Sequence, residues 1–148
     1  MRTARCGDAG HPGWLALREA LWPHCSHSEH VAEMTNQVAL PSRYATFVAH
    51  DDLGDAFGFA EASIRTDYVN GTDASPVSFL EGLNVAPRAR RRGCARALVA
   101  AVEAWGRARG CREFASDASL ANADSQAAHR ALGFVEAERV VYFRRSLR

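Results

Sequence analysis

The stretch from residue 78 to residue 110 constrains the fold of this chain more than any other segment. Ser78–Val85 has the composition of a β-strand, and Pro87 closes it. A long helix then begins just after Gly93, and its apolar residues recur every three or four positions: Cys94, Leu98, Ala101, Val102 and Trp105. An amphipathic helix that follows a strand this closely must bury its apolar face against a sheet. The segment therefore predicts an α/β domain.

The remaining periodicities predict further elements around this unit. Two helices and two strands precede it: residues 11–22, residues 28–40, Tyr44–His50 and Ala56–Arg65. After Gly110, which ends the long helix, the patterns predict a strand, a short helix and a last strand: Cys111–Ala118, Ser125–Leu132 and a segment from Phe134 centred on Val140–Phe143. The 148 residues thus predict one domain, residues 1–148, with a mixed sheet flanked by helices.

The composition limits the class of partner. The chain has 18 basic and 17 acidic residues, and a net charge of +1 argues against general nucleic-acid binding. No apolar run is long enough to cross a membrane, and the N-terminal residues lack the apolar region of a secretory signal. The four cysteines are scattered, which indicates reduced thiols: Cys6, Cys25, Cys94 and Cys111. We expect a cytoplasmic protein that binds neither nucleic acid nor a membrane.

Positive charge is nevertheless concentrated at the entrance of the long helix. Four of the five positions from 88 to 92 are arginine. One interpretation is a solvated basic turn, and another is a nucleic-acid patch, although such patches usually carry aromatic side chains between the basic ones. The third is a phosphate site, because the free N–H groups of a helix N-terminus attract anions and Gly93 permits a close approach. The segment has neither the P-loop ending nor the dinucleotide-binding glycines.

The loop Arg90–Ala95, with the sequence RRRGCA, resembles the acetyl-coenzyme A pyrophosphate loop of the GCN5-related N-acetyltransferases, the GNAT family. Five further segments resemble, in order and spacing, the aminoglycoside 6′-N-acetyltransferases of that family: LWP, ASIRTDYVNG, SPVSFLEGLNV, GCREFASDAS and ALGFVEAERVVYFR. The resemblance extends from Trp14 to Arg145. It implies a GNAT fold, in which a splayed pair of strands holds acetyl-CoA, and it implies a homodimer.

The resemblance also implies which residues bind acetyl-CoA. The strand backbone of Leu83, Asn84 and Val85 would face the pantetheine arm, and Asn122 would contact the same arm. The loop would hold the pyrophosphate through Arg90, Arg91, Arg92, Gly93, Cys94 and Ala95. Acetyl-CoA carries a 3′-phosphate in addition to the pyrophosphate, which would account for the arginine excess. It would serve as a co-substrate, and we expect no metal.

The acceptor site implied by the resemblance contains two aromatic side chains and three carboxylates: Trp22, Tyr68, Glu81, Asp117 and Glu138. Aromatic walls suit sugar rings and carboxylates suit a polycation, so this composition fits an aminoglycoside. Glu81 is the first candidate for the general base that deprotonates the acceptor amine, directly or through a water, and Asp117 is the second. Each has an alternative role as an electrostatic anchor for the acceptor.

Two histidine-containing segments need separate interpretation. Many GNAT members carry a tyrosine four residues before a Gly-Phe pair, where it protonates the leaving thiolate. This chain has His129 there, for which a packing role in the short helix is an alternative. The segment PHCSHSEH contains histidine and cysteine, two residue types that bind zinc. No second Cys/His pair lies elsewhere in the sequence at a recognised spacing, so we predict no metal site there.

Three functions stay open at this point. The first is acetyl-CoA-dependent acetylation of the 6′-amine of aminoglycoside antibiotics, which would confer resistance. The second keeps the fold and the reaction but changes the acceptor to another small polyamine or cellular amine. The third is a module without enzymatic activity that binds nucleic acid or an effector through the arginine cluster.

Overall fold

The computed structural model describes all 148 residues and contains a five-stranded mixed sheet with helices on both faces. The strands are β1 Arg2–Arg5, β2 Tyr44–His50, β3 Ala56–Arg65, β4 Val77–Val85 and β5 Phe114–Ala115. The helices are α1 Pro12–Leu21, α2 His27–Ala39, α3 Cys94–Ala108 and α4 Ala123–Ala131, with a short 3-10 turn at Pro87–Ala89. The strand order is β1-β2-β3-β4-β5, in which the first four strands are antiparallel and β5 runs parallel to β4.

Side-chain caps fix where the first two helices begin. The Nδ1 atom of His11 accepts hydrogen bonds from the backbone N–H groups of Gly13 and Trp14, at 3.1 and 3.2 Å. The hydroxyl of Ser26 accepts from the backbone N–H of Glu29 at 3.1 Å, so Ser26 caps α2. The sequence predicted a helix over residues 28–40, and the observed helix begins one residue earlier, at His27.

Two apolar clusters lie on opposite faces of the sheet. On one face, α3 packs Leu98 and Val102 against the central strands, and it comes so close that a Cβ on Gly58 would lie 2.7 Å from the Cys94 sulfur. On the other face, Trp14 of α1 and Met34 of α2 pack against the central strands. Alternate residues of β3 therefore point into different clusters, as a strand covered on both faces requires.

The strands at the two ends of the chain differ from the sequence predictions. β1 was not predicted, because its residues show no apolar alternation. The strand predicted at Cys111–Ala118 forms a ladder only at Phe114–Ala115. The final strand predicted from Phe134 is wrong, since residues 134–148 form no strand. A strand needs a partner along its length, and a two-residue β5 offers almost none.

The structure contains no helix that combines the length and the apolar character needed to span a membrane.

Candidate active site

A bulge in β4 organises the site. β3 pairs Glu61 with Gly82 and Ala62 with Leu80, so Glu81 is an extra residue with no partner opposite it. A bulge bends its strand and changes the direction of the side chains around it. Gly82 lies against the indole of Trp22, where an added Cβ would be 2.5 Å from the ring. The bulge therefore places a carboxylate and an aromatic wall next to each other.

A cleft of about 450 Å³ opens at the bulge. Nine residues from the α1–α2 loop, α2 and the strands line it: Trp22, Cys25, Glu33, Asn36, Gln37, Tyr44, Glu61, Ala62 and Glu81. Three of these residues are acidic and two are aromatic. Of the five acceptor residues that the sequence predicted, Trp22 and Glu81 lie in this lining.

The other three predicted acceptor residues are exposed and lie outside the cleft lining. Tyr68 belongs to the loop between β3 and β4 and is 70% exposed. Glu138 lies beside the same loop, because a Cβ on Gly71 would be 3.7 Å from the Glu138 Cβ. Asp117 follows β5. The structure thus separates a pair inside the cleft from three residues on the surface beyond it.

Trp22 is held from several sides. Its ring meets Phe59 edge-on, with 6.1 Å between the ring centroids. The Arg18 guanidinium lies 4.8 Å from its centroid, and its backbone carbonyl accepts a hydrogen bond from His30 at 3.2 Å. With Gly82 beneath the ring, the indole has little freedom to turn. We infer that the aromatic wall of the cleft is preformed.

A buried charge network supports this wall. Arg18 is 1% exposed, and its guanidinium donates to Glu61, Glu33 and the Nδ1 atom of His30. Glu61, which is 2% exposed, also accepts from the indole N–H of Trp14 at 2.8 Å. Because Arg18 can only donate, His30 Nδ1 accepts, and the ring proton resides on Nε2. Every member of this network therefore has a partner.

This network was not predicted, although the sequence contains a signal for it. Arg18 lies four residues after Trp14, on the apolar face of α1. Glu61 lies two residues after Phe59, on the same face of β3. A charged residue on a buried face indicates a polar network. His30, from the histidine-rich segment, is buried here rather than exposed, and no group of three or more potential ligand side chains is arranged to hold a metal ion.

Glu81 has two partners on the neighbouring strand. Its Oε1 accepts a hydrogen bond of 2.6 Å from the Ser63 hydroxyl. The Arg65 guanidinium donates to the same carboxylate at 2.8, 3.0 and 3.2 Å. Arg65 also lies over the Phe79 ring, with its Cζ 3.5 Å from the centroid. A role was predicted for Glu81 but none for Ser63 or Arg65, which the alternation of β3 places on one face with Glu61.

The N-terminus of α3 is free to bind an anion. Gly93 precedes the helix with φ near 80°, and no side chain caps the first N–H groups. A Cβ on Gly93 would meet nothing within 4 Å, so the space before the helix is open. Burial raises the pKa of the Cys94 thiol, which keeps this first helical residue uncharged. Arg91 also adopts a left-handed conformation, with φ of 64°.

The arginines of this loop do not act as one group. Arg88 pairs with Asp51 at 3.6 Å, and the Arg90 Nε donates to the Val85 carbonyl at 3.1 Å. Arg91 and Arg92 are exposed and form no ion pair. These two side chains are therefore the ones available to an anion at the helix N-terminus.

The edge of β4 that faces β5 is the second feature of the predicted cofactor site. The ladder with β5 ends at the Phe79–Ala115 pair, so Leu83, Asn84 and Val85 have no strand partner on that side. The Asn84 carboxamide donates to the Leu17 carbonyl at 3.2 Å, which leaves the backbone as the group that this residue presents at the edge. The Asn122 carboxamide oxygen caps α4 by accepting from the Ser125 N–H at 3.0 Å.

His129 is held at the end of β5. Its Nδ1 lies 2.7 Å from the Ser125 carbonyl, and its Nε2 lies 2.8 Å from the Ser116 hydroxyl. A carbonyl can only accept, so Nδ1 carries a proton and donates it to the Ser125 carbonyl. Its ring also packs edge-on against Phe134. The packing role that the sequence analysis considered is therefore present.

Comparisons with known proteins agree with this geometry. The model of the acetyltransferase (GNAT) family matches residues 14–134. The chain is 49% identical to an aminoglycoside N(6′)-acetyltransferase type 1 from Serratia marcescens, over 96% of this chain and 97% of that protein. Among solved structures it resembles AAC(6′)-Iy in complex with a bisubstrate analogue, CoA-S-monomethyl-acetylneamine, with a TM-score of 0.92, 46% identity, and coverage of 99% and 98% of the two chains.

A second solved structure extends the likeness over the full length. It is AAC(6′)-IG from Acinetobacter haemolyticus in its apo form, with a TM-score of 0.94, 43% identity and complete coverage of both chains. The mixed sheet flanked by helices confirms the predicted fold class, and the early end of the β4–β5 ladder agrees with the splayed pair of strands that the resemblance implied. The chain belongs to the acetyltransferase (GNAT) family.

Proposed function

We propose that this chain, as one catalytic domain, transfers the acetyl group of acetyl-CoA to the 6′-amine of aminoglycoside antibiotics and so confers resistance. One observation supports this proposal most strongly. The acidic cleft with its fixed Trp22 wall opens at the β4 bulge, on the same strand whose unpaired edge is suited to bind pantetheine. The proteins with which it shares about half of its residues are named for this activity.

The residues present fit acetyl-CoA. The backbone of Leu83–Val85 offers an edge to which the pantetheine arm can add as a strand would. The N–H groups at the start of α3 and the side chains of Arg91 and Arg92 offer donors and positive charge for the pyrophosphate and the 3′-phosphate. We assign the 3′-phosphate to one of these two arginines because the other loop arginines already have protein partners.

In the proposed reaction the neutral amine attacks the thioester carbonyl carbon. A C–N bond forms, the C–S bond breaks, the nitrogen loses one proton as it becomes an amide, and the departing thiolate takes up one proton to give coenzyme A. An acceptor that arrives as ammonium first loses a proton, for which Glu81 is the proposed base and Asp117 the alternative. A backbone N–H on the free edge of β4 is the proposed donor to the carbonyl oxygen as it becomes negative.

The three residues outside the cleft have a proposed role in holding the rest of the acceptor. An aminoglycoside is a polycation with several sugar rings, so part of it can extend beyond the cleft. Tyr68 would stack on a ring, while Asp117 and Glu138 would bind other ammonium or hydroxyl groups. Their exposure suits contacts with the part of the acceptor that stays near solvent.

The experiment is a free-thiol assay with purified protein, acetyl-CoA and a panel of amines. We expect rapid thiol release with aminoglycosides that carry a 6′-amine, and release at least about 10²-fold slower, compared as kcat/KM, with simple polyamines such as spermidine. A polyamine turned over faster than every aminoglycoside would instead support the alternative acceptor class.

The C-terminal tail, residues 134–148, supports a proposed homodimer. It forms no strand, and large apolar side chains along it are exposed: Val135 87%, Val140 41%, Val141 75%, Tyr142 84%, Phe143 92% and Leu147 93%. Isolated apolar residues on a surface are ordinary, but six in one unpaired segment indicate a binding surface. We propose that the tail pairs with a second copy of the chain and forms there the strand that its sequence pattern predicts.

Replacing Phe143 with Asp should shift the protein from a dimer toward the 16.1 kDa monomer in sedimentation velocity, because a charge would have to enter the apolar contact. Ser146→Asp adds the same charge to the same tail at a polar position and should leave the dimer intact. A wild-type protein that sediments as a monomer at micromolar concentration would contradict the proposal.

We place the enzyme in the cytoplasm. All four cysteines are free thiols, and none forms a disulfide, which fits a reducing compartment.

A further inference from the structure

The carboxylate proposed as the base is already bound to a cation of the protein itself. Arg65 donates to both oxygens of Glu81, and Ser63 donates to one of them. An acceptor ammonium that approaches Glu81 therefore meets an ion pair instead of a bare carboxylate. This arrangement bears directly on which acceptors bind, and so it rests on the function proposed above.

The ion pair is accessible to an acceptor. The side chain of Glu81 is 34% exposed and that of Arg65 is 41% exposed. Glu81 lines the cleft, whereas Arg65 is not part of the lining. Water and a ligand can therefore reach the carboxylate from the cleft while Arg65 holds it from the other side. Exposed pairs of this kind are weak, so a competing cation can break one without a large penalty.

Arg65 also has a second partner that it can keep. Its guanidinium lies over the Phe79 ring at 3.5 Å, a cation–π contact that does not involve Glu81. Phe79 is 4% exposed and pairs with Ser63 in the ladder, so the ring is fixed. The guanidinium can therefore turn away from the carboxylate and still rest on the ring.

We propose that Arg65 is a specificity-determining residue, which occupies the place of an acceptor ammonium on Glu81 in the acceptor-free protein and is displaced when the acceptor binds. An acceptor must bind tightly enough to replace the Arg65–Glu81 ion pair. A polyammonium acceptor can do so because its other charges contact the remaining carboxylates of the site, whereas an amine with a single charge binds too weakly. The residue thus tunes acceptor affinity without taking part in the transfer step.

The test is to measure neamine affinity by calorimetry in the presence of coenzyme A, for wild type and for Arg65→Gln. We expect the dissociation constant to fall about twofold to fivefold in Arg65→Gln, because the acceptor no longer competes with an internal cation. In turnover assays with acetyl-CoA, KM for neamine should fall by a similar factor while kcat stays within about twofold. Arg65→Lys, which keeps the charge but loses the planar fork, should lie between the two.

Two further variants separate this effect from general charge. Arg107→Gln removes the same charge from an exposed pair on α3 and should leave neamine affinity unchanged. In a Glu81→Gln background, Arg65→Gln should no longer tighten binding, since there is no ion pair to release. Unchanged or weaker neamine binding in Arg65→Gln, or the same gain with Glu81 absent, would overturn the inference. If wild type neither binds nor acetylates neamine, the proposed function fails as well.

Discussion

Replacing Glu81 with Gln is expected to lower kcat for aminoglycoside acetylation by about 10²-fold or more. The β4 bulge places this carboxylate in the cleft, one residue before Gly82 and two before the edge segment proposed to hold the thioester arm. Gln keeps the shape of the side chain and one acceptor oxygen but cannot take up the proton of the acceptor ammonium. The acid limb of the pH–rate profile should flatten for the same reason.

Glu103→Gln is the matched control for this variant. Glu103 also pairs with an arginine and has a side chain 39% exposed, close to the 34% of Glu81, but it lies on α3. We expect wild-type kinetics for it. If Glu81→Gln instead raises KM for the acceptor and leaves kcat and the pH profile near normal, Glu81 is an anchor and the base lies elsewhere, with Asp117 the next residue to replace.

Replacing Arg18 with Met should cost about 3–5 kcal/mol in the free energy of unfolding, measured by urea denaturation. The variant leaves the 2% exposed Glu61 without its cationic partner and leaves one His30 nitrogen without its donor. It also removes the cation from the Trp22 ring, so KM for the acceptor should rise. Met matches the length of the Arg stem, which limits the contribution of lost packing.

The double variant Arg18→Met, Glu61→Leu tests whether the unpaired charge causes the loss. It should recover part of the lost stability, because apolar side chains replace both members of a buried pair. Arg107→Met, at an exposed position, should leave the urea midpoint unchanged. A loss below about 1 kcal/mol for Arg18→Met would show that the network contributes little to stability.

The sequence predicted those parts of the fold that depend on local pattern. The bounds of β2 and β3 were predicted as observed, and the long helix α3 follows its apolar stripe closely. The terminal strands depend on pairing instead. β1 is polar and exists only because the edge of β2 accepts it, whereas the apolar tail from Phe134 has no edge within one chain.

The site likewise contains residues that the sequence predicted and residues that it did not. The family resemblance predicted Trp22 and Glu81 as site residues, and the structure places both in one cleft. Arg65 and the buried pair of Arg18 and Glu61 were missed, because their importance arises from which faces of α1 and β3 meet. A single sequence shows that Arg18 lies on an apolar face but does not show which carboxylate lies opposite.

The most direct measurement of the central claim compares neamine with its analogue that carries a hydroxyl at the 6′ position, each incubated with the enzyme and acetyl-CoA and examined by mass spectrometry. We predict one added acetyl group on neamine, located on the 6′ nitrogen by fragmentation, and no N-acetyl product from the analogue. An acetyl group on any other amine, or equal acetylation of the two compounds, would contradict it.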